Sequence, residues 1–121
     1  MQVEQVDFMS VPTRDSARAI AWYRDVLGLQ VSEYSDAEIE TSNVTLAFWN
    51  PESQGEPFEP NPAGVALRVA DVGAAVEEVR AGGGEALGVV DTGVCHMGFV
   101  KDLDGNVLIL HRRYAPREKR G

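Results

Sequence analysis

The feature that most limits what this chain can fold into is an internal repeat. Asp15 opens a helical pattern in which Ala19, Ile20, Trp22, Tyr23, Val26 and Leu27 share an apolar face, and Gly28 ends it. Asp71 opens a second pattern with Val72, Ala75, Val76 and Val79, ended by Gly82, Gly83 and Gly84. An aspartate side chain accepts the orphan N–H groups of a first helical turn, and glycine takes the left-handed conformation that closes the last. Asp71 lies 56 residues beyond Asp15. The same offset sets Phe8 on Gly64, Val11 on Leu67, Ala19 on Ala75, Ile20 on Val76 and Arg24 on Arg80.

Strand-like runs precede each helix at Val6 to Val11 and Val65 to Val69. Three more follow each helix. In the first half they are Leu29 to Tyr34, Glu38 to Thr41 and Val44 to Trp49, and in the second Glu85 to Val90, Val94 to Val100 and Val107 to Leu110. Asp102-Leu103-Asp104-Gly105-Asn106 reads as the turn joining the last two. The pattern is β-α-β-β-β twice. It predicts an α+β fold of two βαβββ modules forming a curved, cup-like mixed sheet with the helices outside. Module one spans about 5–50, a linker with four prolines in Asn50 to Ala63 covers 51–63, module two spans about 64–114, and a basic tail fills 115–121. The linker is also a candidate flap over a site.

Composition narrows the function classes. The chain has 121 residues, enough for a single domain with a hydrophobic core of its own. Cys95 is the only cysteine, so neither an internal disulfide nor a thiol pair for zinc is available. Met1 to Ser10 holds Glu4 and Asp7 and no long apolar run, unlike a secretory signal, and no stretch reaches the ~20 apolar residues of a membrane span. The expectation is a cytoplasmic protein with no membrane partner. Net charge is −8, with the positive charge concentrated at the end: His111 to Gly121 holds five basic residues and one acid, leaving −12 on residues 1–110. An acidic body repels nucleic-acid phosphate, which argues against a nucleic-acid partner. The basic tail is expected to be a solvated end.

Two stretches carry a family resemblance. The first is Val6-Asp7-Phe8-Met9-Ser10-Val11-Pro12-Thr13-Arg14-Asp15 with Ala21-Trp22-Tyr23-Arg24-Asp25-Val26-Leu27-Gly28-Leu29. The second is Val65 to Val72 with Lys101-Asp102-Leu103-Asp104-Gly105-Asn106-Val107-Leu108-Ile109-Leu110. Together they resemble the opening and closing motifs of the glyoxalase / bleomycin-resistance / extradiol-dioxygenase (vicinal-oxygen-chelate) superfamily. The resemblance implies a metal on the cup floor, held by His or Gln on the first strand, Glu on the fourth, His on the fifth and Glu on the eighth. Carried onto this chain, those positions fall on Phe8, about Leu46, Gly64 and Ile109. None offers the imidazole or carboxylate a divalent ion needs, so the expectation is no metal and no cofactor.

Strand alternation from Phe8, Gly64 and Ile109 then lists the inward face. It predicts Ser10 on the first strand, Ala66 and Arg68 on the fifth, and Val107 and His111 on the eighth. Across the Asp102–Asn106 turn it adds Phe99, Met97 and Cys95, and on the fourth strand Val44, Leu46 and Phe48. The expected ligand-binding set is therefore Phe8, Ser10, Phe48, Arg68, Cys95, Met97, Phe99, Ile109 and His111. Arg68 must pair with an acid such as Glu38 or Glu40 or hold a ligand anion. A lone cysteine such as Cys95 is most often a small buried hydrophobe. His96 has the opposite parity and faces the helix layer or a dimer seam. Trp22 and Tyr23 read as core, whereas Trp49 and Phe58 are candidates for a pocket lip.

Three functions fit. The first is a metal-free binder of a small, mostly apolar organic molecule, acting as a homodimer. The acid runs Glu33, Asp36, Glu38, Glu40 and Glu52, Glu56, Glu59 would steer a cationic ligand toward it. The second is a lyase-, isomerase- or dioxygenase-type enzyme, metal-dependent or metal-free, with His111 as acid/base and Arg68 stabilising an enolate or carboxylate. The third is a non-catalytic interaction module.

Overall fold

The computed structural model describes residues 1–121 and divides into two compact units, Met1–Asn61 and Pro62–Gly121. In the first, β1 (Phe8–Pro12), α1 (Ser16–Asp25), β2 (Gln30–Val31), β3 (Glu38–Glu40) and β4 (Thr45–Trp49) follow in order. In the second, β5 (Val65–Arg68), α2 (Val72–Ala81), β6 (Glu85–Asp91), β7 (Cys95–Lys101) and β8 (Val107–Arg113) repeat the plan. Each unit carries a four-stranded mixed sheet, ordered β1-β4-β3-β2 and β5-β8-β7-β6, with a single parallel pair, β1 with β4 and β5 with β8. The α+β class and the twice-repeated βαβββ order are as the repeat predicts.

The helices begin where their capping aspartates dictate. Asp15 accepts from the Arg18 N–H at 3.1 Å, and Asp71 from the Ala74 N–H at 3.0 Å. Gly28 follows α1 with φ +69°, a conformation that costs glycine no Cβ clash. Each helix packs its apolar stripe on one face of its own sheet. In the first unit Ile20 and Tyr23 are buried together with Val11, Ile39, Leu46 and Phe48. In the second, Val72, Val76 and Val79 are buried with Val65, Val100, Leu108 and Leu110. The approach of α2 is closest at Gly98, where an added Cβ would lie 2.5 Å from Val76 Cγ2 and 3.0 Å from Val72 Cγ1.

The β7–β8 turn is built around Asp102. Its carboxylate accepts from the N–H groups of Asp104 (2.9 Å) and Asn106 (3.0 Å) and from the Asn106 amide (3.0 Å), and both Asp102 and Asn106 are buried. The proline-rich segment after β4 is less loop-like than expected. Pro51–Gln54 forms a 3-10 turn capped by the Asn50 side chain, with Pro51 buried. Farther on, Phe58 lies beneath the Arg14 guanidinium, 4.5 Å from ring centroid to Cζ. No helix is long and apolar enough to cross a membrane.

Candidate functional site

The sheet registers show which side chains share the face away from each helix, called here the far face. In the second unit Arg68 is the register partner of His111, which pairs with Met97, which pairs with Val90. One row along, Ala66, Ile109, Phe99 and Gly88 form a second line. Cys95 and Arg113 form a further pair beyond His111. The far face of this sheet therefore presents an apolar strip of Ile109, Phe99, Met97 and Val90. It ends in the cationic and imidazole side chains of Arg68, His111 and Arg113. Arg68, Cys95, Met97, Phe99, Ile109 and His111 all lie on this one face of the sheet.

Three of the expected residues, Phe8, Ser10 and Phe48, belong to the other unit. Phe8 and Ser10 alternate with the buried Val11 on β1 and share the far face of the first sheet with Thr45 and Ala47. Phe48 requires a correction. With Leu46 it points toward α1, where it is buried and stacks edge-on against Tyr23 at 4.8 Å. The far face of β4 is formed by Thr45, Ala47 and Trp49. The helix needed the larger apolar set of this strand beneath it, and the cup expectation assigned that set to the wrong side. Phe48 is a core residue.

The same shift relocates the metal position carried over onto the fourth strand. β4 and β8 hold matching places in their sheets, so the residue corresponding to Ile109 is Ala47 rather than Leu46. The set becomes Phe8, Ala47, Gly64 and Ile109, and none of these side chains can donate to a metal. At Gly64 a Cβ would meet Ile109 Cγ1 at 3.1 Å and Val107 Cγ1 at 3.2 Å, so hydrocarbon already fills the space a ligand side chain would need. No three His, Cys, Asp or Glu side chains converge elsewhere. The residues present do not fit the metal that the resemblance implies.

Cys95 is buried, with Sγ 3.1 Å from the Thr92 hydroxyl, and Thr92 Oγ1 also accepts from the Cys95 N–H. It closes the β6–β7 turn. His96 has the opposite parity, as expected. Its Nε2 lies 3.4 Å from Asp91 Oδ2 and its ring packs on Tyr114 at 4.9 Å. Asp91 also accepts from the Gly93 N–H and the Tyr114 hydroxyl, each at 2.8 Å. These bonds hold the Asp91 carboxyl below its ordinary range, with the Gly93 N–H the largest cause, and raise the Tyr114 phenol. Within the first unit Glu40 accepts from Thr45 Oγ1 at 2.7 Å, and within the second Arg68 forms no ion pair.

A depression of about 580 Å³ opens at the cationic end of the second sheet, lined by Arg68, His111, Arg112, Arg113 and Arg117. Sequence reading missed Arg113 and Arg117. β8 runs three residues past its expected end at Leu110, and alternation from His111 would have put Arg113 on the same face. Arg117 carries no such signal. It reaches the depression because Tyr114 and Ala115 donate N–H groups to Val94 O and Arg113 Nη2 donates to Pro116 O at 3.2 Å.

A model of the Glyoxalase/Bleomycin resistance protein/Dioxygenase superfamily matches residues 5–110. Among solved structures, a glyoxalase/bleomycin resistance protein/dioxygenase family enzyme from Burkholderia phytofirmans PsJN is similar at TM-score 0.77 and 19% identity. That match covers 90% of this chain and 100% of the other. A hypothetical protein from S. aureus matches at TM-score 0.74 and 19% identity, covering 91% and 95%. A glyoxalase-related enzyme from Fulvimarina pelagi matches at TM-score 0.72 and 20% identity, covering 90% and 88%. At these identities the structural likeness establishes the fold. No curated protein matches the chain.

Proposed function

The chain belongs to the Glyoxalase/Bleomycin resistance protein/Dioxygenase superfamily, and on that premise we propose that it binds a small, mostly apolar organic molecule on the far face of its second sheet, without the superfamily's metal. The observation that carries this reading is the make-up of that face. Ile109, Phe99, Met97 and Val90 offer hydrocarbon and aromatic surface in adjoining rows, with Arg68 and His111 side by side at one end. Such a surface holds an apolar body and orients it by a polar end. The lack of donors at Phe8, Ala47, Gly64 and Ile109 supports binding that does not pass through a metal. A homodimer belongs to this proposal, and light scattering on the purified chain checks it.

The test is a thermal-shift screen of small aromatic and aliphatic molecules, with the metal content of the untagged protein measured alongside. A ligand at 100 times its Kd adds about 2.7 kcal/mol to stability. The expected outcome is a shift that Phe99→Gln removes, metal below about a tenth of an equivalent, and no effect of EDTA. One equivalent of metal lost to EDTA would overturn the metal-free part, and no shift across the panel would overturn the binding part. A second reading, a metal-free enzyme, is favoured by the pairing of Arg68 with His111, which sets a cation beside an acid/base. It requires a turnover that His111→Ala abolishes with the fold intact.

A further inference from the structure

Resting on that small-molecule reading, we infer that the ligand carries an oxyanion, a carboxylate or phosphate monoester, held by Arg68, His111 and Arg113 on the sheet and by Arg117 of the C-terminal segment. The depression at this end of the far face is lined by four arginines and one histidine and by no carboxylate. In a chain with nineteen acids and eleven basic residues, that lining is a concentration of one sign. Arg68, Arg112 and Arg117 take part in no ion pair, and Arg113 spends a donor on the carbonyl of Pro116. Guanidinium groups drawn together without an anion repel one another, and an oxyanion among them turns that repulsion into attraction. Arginine suits the task because its planar fork meets two oxygens of a carboxylate or phosphate at once.

The position of the cluster defines the rest of the ligand. Arg68 and His111 occupy one row, and Ile109, Phe99 and Met97 lie in that row and the next. An anionic head at the arginines therefore places an attached apolar body along the strip. The charge runs expected to steer a cation, Glu33, Asp36, Glu38, Glu40, Glu52, Glu56 and Glu59, all belong to the first unit. A long polyanion is a poor occupant. Residues 1–110 carry −12, which opposes tracking along a phosphate backbone, whereas a single small anion meets only the local cluster.

The experiment is an NMR and calorimetric titration of the full chain with four probes: phenylacetate, phenyl phosphate, phenylacetamide and inorganic phosphate. Wild-type protein should bind at least one of the two aromatic anions about tenfold or more tighter than the neutral amide, with shifts centred on Arg68 and His111. The tighter of the two anions assigns the head group. Arg68→Gln and Arg117→Gln should each weaken the anion about tenfold and leave the amide unchanged, while Arg24→Gln, distant in sequence and paired with Asp25, should change neither. Binding of neither aromatic anion more tightly than phenylacetamide would overturn the oxyanion and leave the small-molecule reading standing. Inorganic phosphate binding as tightly as phenyl phosphate would overturn the small-molecule reading and leave an anion site. Silence with all four would overturn both, and an unchanged Arg117→Gln would remove the tail from the site.

Discussion

Pro12 and Trp49 occupy in the first unit the places that Arg68 and His111 occupy in the second. Each pair joins the first and last strands of its sheet at the same register, on the face away from the helix. On the helix side the two units agree in character. Val11 corresponds to Leu67, Leu46 to Leu108, Phe48 to Leu110, Ile39 to Val100 and Tyr23 to Val79. Across the sheet they diverge: Glu38 stands where Phe99 stands, and Glu40 where Lys101 stands. By composition the first unit holds eleven acids against three arginines, −8, and the second holds eight of each sign. The lesson is physical. Burial beneath a helix fixes one face of each strand to apolar side chains of limited size, whichever unit it belongs to. The opposite face is free to take other chemistry, and the difference between the units lies there.

The turns that close the sheets make the comparison breakable, and the largest effect is expected there. Asp102 satisfies three donors from a buried position, and its counterpart between β3 and β4 is Thr41, whose hydroxyl accepts from Val44 N–H at 3.0 Å and donates to Val44 O at 2.6 Å. Asp102→Ala removes the acceptor of three hydrogen bonds, two of them from the buried Asn106, and should cost about 3 kcal/mol. Thr41→Ala, at a half-buried site, should cost about 1 kcal/mol. Urea denaturation of both variants checks the ratio. Equal costs would mean that the two turns carry their sheets alike.

Next in size is the contact that sets each helix on its sheet. Gly98 corresponds to Ala37, whose carbonyl accepts from the Phe48 N–H at 2.8 Å. The first unit has a Cβ at this place, while in the second it would press into Val76 and Val72. Gly98→Ala should therefore destabilise by about 1–3 kcal/mol through overpacking. Relief by a second change, Val76→Ala, would show that the helix contact is the cause. A stabilised Gly98→Ala would mean that α2 gives way to the added Cβ without loss of packing.

How much of this was legible depends on what fixed the strand parity. The second unit read correctly because the Asp102–Asn106 turn locks β7 to β8, so that one assignment on β8 orders Phe99, Met97 and Cys95 as well. The fourth strand had no such lock. Val44 to Trp49 alternates two apolar sets, and the larger one, Leu46 and Phe48, was claimed both by a helix and by an expected pocket. The helix won because burying those side chains on both faces was impossible. Arg117 was illegible for a different reason. A run of basic residues has no period, and what brings it back is a set of hydrogen bonds to the carbonyls of Val94 and Pro116 that leave no trace in composition.

The smallest expected effect concerns two exposed carboxylates, one in each unit, whose pKa values are both lowered. Asp25 is lowered chiefly by its hydrogen bond to Arg24, its neighbour in sequence. The unfolded chain can form that bond too, so little of it counts toward folding. Asp91 is lowered first by the Gly93 N–H, then by the hydroxyl of Tyr114, which lies 23 residues away and meets it only in the folded state. A carboxyl whose folded pKa is depressed contributes stability above its unfolded value, near 4, and loses it as pH falls through the folded value. Tyr114, raised by the same bond, contributes below about pH 10 and loses that contribution as pH rises through its folded value. Melting temperature followed against pH should therefore lose part of its acid-side slope in Asp91→Asn and part of its alkaline slope in Tyr114→Phe, and keep both in Asp25→Asn. Because Tyr114 begins the segment that returns Arg117 to the arginine cluster, Tyr114→Phe should also weaken phenyl phosphate binding. An unchanged affinity would show that Val94 and Pro116 hold the tail without it.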